Sequence, residues 1–384
     1  MALNQIGLVY FDDQRFPKFE YWKGVFCVFS FVIFNITEYM FVFINIHDVS
    51  LISLNLATSL LYSSLIVKGA TFIWHNKKYF KLMTDMHNAM KFVENSKHDQ
   101  LKRILDKHVF HCYEVAVAIF VFTTISLIIF SAYLFYTFLV ESVPGVTIHP
   151  LAIDSWFPFR SDEHNVIAYL MVQWIVYLVI MFDSFWNTLL AAILIFACAA
   201  LRILNYKLSH PEEFVAIKKP GEQDDGIPEP ALYKYVLNCV KDHLLIIEFV
   251  NDLRDILVIP MALDFIVFTV LICSQLFQLS SVPTGAIELI VVYGYIASSC
   301  TILLMYYWHS NEISLESTNL CQAAYESSWV NTSKRVKDAL RLIMVRCQKP
   351  LVFRAGFYPM NLSAFIMILR AAYSAFTVMR QFDK

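Results

Sequence analysis

The stretch from Val166 to Leu201 reads VIAYLMVQWIVYLVIMFDSFWNTLLAAILIFACAAL and carries one charged residue, Asp183, in 36 positions. A helix rises ~1.5 Å per residue, so this run exceeds the ~20 apolar residues that cross the ~30 Å hydrocarbon core of a bilayer. Its apolar side chains occupy every side, so such a helix must be surrounded by lipid or by other apolar helices. Six runs of the same kind lie around it: Val25 to Asn45, Leu51 to Trp74, Tyr113 to Leu139, Leu244 to Phe277, Ile287 to Trp308 and Leu351 to Met379. With 58% hydrophobic residues, 33 Phe and 20 Tyr, the chain holds more apolar side chain than soluble domains bury. These observations predict an all-α integral membrane protein, a bundle of seven helices.

Lys and Arg predict its orientation, because segments retained in the cytosol are enriched in them. Arg15, Lys18 and Lys23 precede the first run. Eight basic residues from Lys77 to Lys107 follow the second, six from Arg202 to Lys241 follow the fourth, and six from Lys334 to Lys349 follow the sixth. The connections after the first, third and fifth runs hold Arg160 alone. The N-terminus is therefore expected in the cytosol and the C-terminus outside, opposite to a G-protein-coupled receptor. No cysteine falls in a predicted outer loop, so no extracellular disulfide framework is expected. Met1 to Phe16 lacks the pattern of a removable signal peptide.

The predicted cytosolic segments look helical. Val336, Leu340, Ile343 and Cys347 recur at helical spacing, as do Phe80, Met83, Met86 and Met90. Each face could pack within its own subunit or hold subunits together beneath the membrane. Lys207 to Pro230 reads as a loose linker interrupted by Pro and Gly, and Glu141 to Asn165, rich in aromatics and Pro, as an ordered lid.

Enzyme signatures are missing: there is no phosphate loop, no Gly-x-Ser-x-Gly, no His-Glu-x-x-His and no Cys-x-x-Cys. No catalytic residue, metal or cofactor is expected, and a net charge of -2 without a basic tail recommends no nucleic-acid partner. His108, His111 and Cys112 read as a wetted helix end. Of the charged residues inside the runs, Glu38, Lys68, Asp183, Asp264, Glu288 and Arg370 are the candidates for a role. Lys68 is expected to snorkel, Glu288 to sit near an interface, and Asp183 to hydrogen-bond between helices rather than carry protons. Sequons at Asn35, Asn331 and Asn361 fall in spans or in the cytosol, so none is expected to be glycosylated.

The last run is broken by Pro350, Gly356 and Pro359, which leaves a short piece and then a helix from about Leu362 to Gln381. Along it Ser374, Val378 and Gln381 share a face that suits a pore wall with a hydrophobic constriction; packing inside its own bundle is the other reading. The ending from Tyr373 to Gln381, Tyr-Ser-Ala-Phe-Thr-Val-Met-Arg-Gln, resembles the seventh-span ending of insect odorant receptors. Asn311-Glu312, Tyr325, Trp329, Gln348-Lys349-Pro350 and Gly356-Phe357-Tyr358-Pro359 resemble that family in order and spacing. Together they cover the last quarter of the chain; the remainder matches in length, span count and inverted topology.

The resemblance implies an odorant-gated cation channel, a heterotetramer with a shared co-receptor subunit in the plasma membrane of an olfactory neuron dendrite. Residues 1–310 would form the six-span bundle holding the pocket, 311–350 the cytosolic anchor for assembly, and 351–384 the pore-lining span. Val378 would be the gate, with Ser374 on the pore wall and Gln381 and Phe382 near the outer mouth. The second inner loop is shorter than the co-receptor's, which implies an odour-tuned subunit. By resemblance, a small volatile would bind in the outer half of the bundle among Ser59, Tyr62, Phe130, Tyr133, Leu134, Tyr169, Gln173, Trp174, Tyr177, Tyr293, Ile296 and Ala297. Their aromatic character favours a flat, aromatic odorant. A gustatory-type channel, a metabotropic seven-helix receptor and a transporter are the rival readings.

Overall fold

The computed structural model describes residues 18–46, 49–141, 156, 165–215, 229–281, 286–327 and 329–382. Of the expected Glu141 to Asn165 lid, residues 142–164 apart from Trp156 lie outside the described residues, as do residues 216–228 of the Lys207 to Pro230 linker. Seven long helices are α1 (Lys18–Ile44), α2 (Val49–Trp74), α4 (Asp99–Glu141), α5 (Asn165–Ser209), α6 (Glu229–Ser281), α7 (Ala286–Glu326) and α9 (Leu362–Phe382). Two shorter ones, α3 (Asn76–Glu94) and α8 (Lys334–Cys347), join them at one end of the bundle, hereafter the basic end for the lysines and arginines it carries. Among the described residues, five helices are long and apolar enough by composition to cross a membrane: α1, α4, α5, α6 and α9.

Length explains the layering. At ~1.5 Å per residue the 53 residues of α6 would extend ~80 Å, far beyond the hydrocarbon core. With 43, 45, 53 and 41 residues, α4 to α7 are all longer than such a core and continue past it without breaking. The stretches from Asp99, from Arg202 to Ser209, from Glu229 and from His309 to Glu326 form a polar-faced helical layer at the basic end. Residue 310 accordingly falls in mid-helix rather than at a break.

α8 buries Val336, Ala339, Leu340, Ile343 and Cys347 against the same chain, packing on α6 and α7. α3 buries Tyr79, Leu82, Met83 and Val93 and leaves Phe80 exposed, so its inner face sits part of a turn away from the expected Phe80 stripe. Lys81 on α3 bonds Glu248 and Asp252 of α6 at 2.7 and 2.9 Å, which holds its amine well above the ordinary lysine range. The start of the expected loose linker is structured. Lys207 ion-pairs Asp242 at 2.9 Å, Tyr235 donates to the Lys207 carbonyl at 2.9 Å, and a short 3-10 turn covers Pro211–Glu213.

Small residues bring the spans close together. A Cβ on Gly69 would stand 2.6 Å from Val28 Cγ2, so α1 and α2 meet where no larger residue fits. Pro260 lies inside α6, where its ring removes a backbone donor from the helix. One continuous apolar core, from Cys27 and Phe31 on α1 through Phe182 and Trp186 on α5 to Ile368 on α9, unites the bundle.

Candidate pore helix and polar centre of the bundle

Two β-strands, β1 (Arg354–Ala355) and β2 (Tyr358–Pro359), form a tight hairpin ahead of α9. Gly356 occupies the turn with φ +61, a conformation that glycine adopts without strain. Tyr358 stacks on Phe265 of α6 at 5.2 Å, and the Asn361 side chain accepts the Ala364 N–H at 2.9 Å to cap α9. The start of α9 is thus pinned to α6. Its inner face, Ala364, Ile368 and Ala372, is buried at i, i+4, i+8 spacing against α6 and α7. Ala372 packs with Ile272 and Cys273, and Cys273 Sγ lies 3.5 Å from Met379 Sδ. Ser374, Val378 and Gln381 are exposed on the isolated chain, as is Arg370; the side chain of Phe382 lies outside the described residues.

The polar centre joins α2, α5, α6 and α7. Lys68 is buried at 2% exposure, and its ammonium lies 3.0 Å from Asp264 and 3.8 Å from Asp183. Lys68 therefore does not snorkel: two carboxylates take its charge inside the bundle. Ser64 donates to Asp264 at 2.6 Å, and Asn187 to Asp183 at 2.9 Å. Tyr306 of α7 donates to the Asn187 carbonyl, and the Lys68 ammonium lies 6.0 Å from the Trp186 ring. Asp183 takes its hydrogen bond from Asn187 of its own helix rather than from a neighbouring one, and it reaches α2 through the Lys68 ammonium at 3.8 Å.

Of the residues expected around a ligand, Ser59, Tyr62 and Leu134 are buried. Phe130, Tyr169, Gln173 and Ile296 are half-buried, while Trp174, Tyr177, Tyr293 and Ala297 face outward on the isolated chain. The side chains of Tyr133 and Glu288 lie outside the described residues. Tyr62 meets Phe34 of α1 edge to face at 5.4 Å, and Gln173 donates to Ser131 of α4 at 2.7 Å. Helix α1 therefore contributes to this region, which the expected lining did not include.

A separate cleft of about 530 Å³ opens at the basic end between α4, α5 and α7, lined by Lys107, His108, Arg202, Asn205 and Glu316 among others. Arg202 bonds Glu316 at 2.7 Å and Glu312 at 2.8 Å, and it meets His108 Nε2 at 3.2 Å. His108 Nδ1 faces the Ile104 carbonyl at 2.7 Å and must donate there, so Nε2 accepts from Arg202 and the ring is neutral. Among the described residues no group of three metal-ligating side chains converges.

The sequence matches the family model described as 7tm Odorant receptor over residues 48–373, most of its length. This chain belongs to that odorant receptor family. Odorant receptor 10 of Aedes albopictus is 35% identical over 147 residues, 38% of this chain and 39% of that protein. Odorant receptor 56a of Drosophila melanogaster is 28% identical over 238 residues, 60% of this chain and 56% of that one. The chain thus matches about two fifths to just over half the length of these curated relatives. The solved insect olfactory receptor OR5 from Machilis hrabei, in complex with eugenol, superposes with a TM-score of 0.85 at 16% identity. That superposition covers 99% of this chain and 96% of that one, so the two share the seven-helix membrane fold. The odorant receptor relatives are receptors rather than enzymes. The sequence resemblance at the last span therefore pointed to the right family.

Proposed function

We propose that this chain is the odour-tuned subunit of a heterotetrameric, ligand-gated, non-selective cation channel formed with a shared odorant co-receptor. The observation that carries the reading is α9, an amphipathic span buried on one side by Ala364, Ile368 and Ala372 and bare along Ser374, Val378 and Gln381. A membrane helix with so little of its surface covered by its own chain suits a wall completed by other subunits. In this reading Val378 is the hydrophobic gate, which closes by dewetting, and Gln381 and Phe382 lie near the outer mouth. The basic end faces the cytosol, and residues 311–350 anchor the assembly there.

A small volatile, aromatic by the character of the lining, binds in the half of the bundle away from the basic end. Its pocket lies among Ser59, Tyr62, Phe130, Tyr133, Leu134, Tyr169, Gln173, Trp174, Tyr177, Tyr293, Ile296 and Ala297. Binding opens the pore only by the difference in affinity between open and closed arrangements. α6 is the natural carrier of that difference, since Asp264 belongs to the polar centre and Ile272 and Cys273 to the seat of α9. The receptor acts at the plasma membrane of an olfactory neuron dendrite.

The test is whole-cell current in cells expressing this chain with and without an insect odorant co-receptor, exposed to volatiles while G-protein signalling is blocked. A fast non-selective cation current that needs both subunits is expected. A response that disappears with G-protein block would overturn the channel reading in favour of a metabotropic receptor.

A further inference from the structure

Helix α1 turns one face to the bundle at i, i+4, i+7, i+11 spacing: Cys27, Phe31, Phe34 and Glu38 are all buried. Phe31 meets Phe182 of α5 edge to face at 5.6 Å, and Phe34 meets Tyr62 of α2 in the same way at 5.4 Å. Glu38 continues this inward stripe and is fully buried, at 0% exposure. The two hydroxyls beside it, Ser59 and Thr58, both donate to the Asn55 carbonyl, at 2.7 and 2.9 Å; Ser59 Oγ also lies 3.1 Å from Glu38 Oε2, so its one proton is shared, and Oε1 has no hydrogen-bond partner. Lys68, a buried cation that could have paired with it, is engaged by Asp264 and Asp183.

Neighbouring groups repeat the imbalance. Asn35 Oδ1, one turn before Glu38, is also a buried acceptor without a partner, so the described parts of α1 and α2 hold two such acceptors against one such donor, Asn55 Nδ2. Natural structures leave few such groups unmatched. A buried carboxyl short of a partner costs more than a neutral group would. The surplus is of acceptors, so the missing partner is a donor.

We propose that the free oxygen of Glu38 is the recognition point for an N–H or O–H group on the ligand, which makes this receptor selective for small alcohols, phenols or amines over their ethers and hydrocarbons. The inference deepens the proposed ligand site and rests on it. A ligand that leaves a buried acceptor unmatched carries the full desolvation penalty of that group, so a matched pair of ligands with and without the donor should differ by ~10- to 100-fold in affinity. A site built around such a bond rejects the analogue that lacks it, because its own polar group is then left unpaired.

The experiment measures thermal stabilisation of the purified full-length chain in lipid nanodiscs by benzyl alcohol, benzylamine and benzyl methyl ether. Currents play no part in it, so its outcome is separate from that of the channel reading. The alcohol or the amine should stabilise the wild type at concentrations at least ~10-fold lower than the ether, and Glu38→Met should abolish the difference. Glu38→Gln separates the two donors: the amide oxygen still accepts from the alcohol, but the charge that favours an ammonium is gone. Infrared difference spectra keep the test open if Glu38→Met does not fold, since a carboxyl band should change on alcohol or amine binding in wild type and be missing in Glu38→Gln. Equal stabilisation by alcohol, amine and ether, no stabilisation by any of them, or a donor preference that survives Glu38→Met would overturn the proposal.

Discussion

At the scale of single residues, Lys68 is a cation buried at 2% exposure between two carboxylates. It lies six residues before the end of α2, near enough to the basic end that snorkelling is a reasonable expectation from sequence, since position along one helix says nothing of what the other helices bring. The 3.0 Å approach of Asp264 and the 3.8 Å approach of Asp183 keep the ammonium inside. Removing one member of a buried pair leaves the other charge uncompensated, at ~3–5 kcal/mol, against a whole-protein stability of ~5–15 kcal/mol. Lys68→Met should therefore lower the melting temperature and the surface expression sharply. Lys68→Met combined with Asp264→Leu should recover part of both, because the stranded carboxylate is gone. Surface biotinylation and the melting temperature of purified variants read the two effects. A double variant no better than the single one would mean that the pair is not the unit of stability here.

At the scale of elements, the sequence was most legible where a local signal ends a helix. Pro350, Gly356 and Pro359 mark the hairpin, and α9 begins at Leu362, the residue the apolar pattern suggests. It was least legible where helices leave the membrane. Apolar runs mark the part of α4 to α7 in lipid, but their aqueous extensions are amphipathic or mixed and carry no length signal. The face of α3 was misplaced by part of a turn for a related reason: Tyr79, Phe80 and Leu82 are all large side chains with an apolar body, and tertiary packing decides which of them turns inward. The same reasoning bears on Val378, exposed on α9 yet apolar. If that side chain closes a pore by excluding water, Val378→Ser should wet the constriction and raise basal current severalfold without raising surface expression. If it faces lipid instead, the substitution should leave basal current unchanged. Whole-cell current normalised to surface protein distinguishes the two.

At the scale of the whole molecule, the arrangement sorts charge along one axis. α3 with Lys77, Lys78, Lys81 and Lys91, and α8 with Lys334, Arg335, Lys337, Arg341 and Arg346, both sit at the end where the long helices emerge. Clusters of this kind are held on the cytosolic side during insertion, so the basic end should be cytosolic. The chain carries its own reporter of that orientation. Asn331, followed by Thr332 and Ser333, is an exposed sequon at the basic end. Asn35 is buried on α1, and Asn361 spends its side chain on the cap of α9. Glycosylation acts on the lumenal side alone, so Asn331 would be modified only in the opposite orientation. Protein from insect cells should show no mobility shift on glycosidase treatment, and none that depends on Asn331→Gln. A shift lost in Asn331→Gln would place the basic end outside. The pore mouth, the anchor and the approach of the ligand would then all have to be reassigned together, because one rigid bundle fixes their relation to one another.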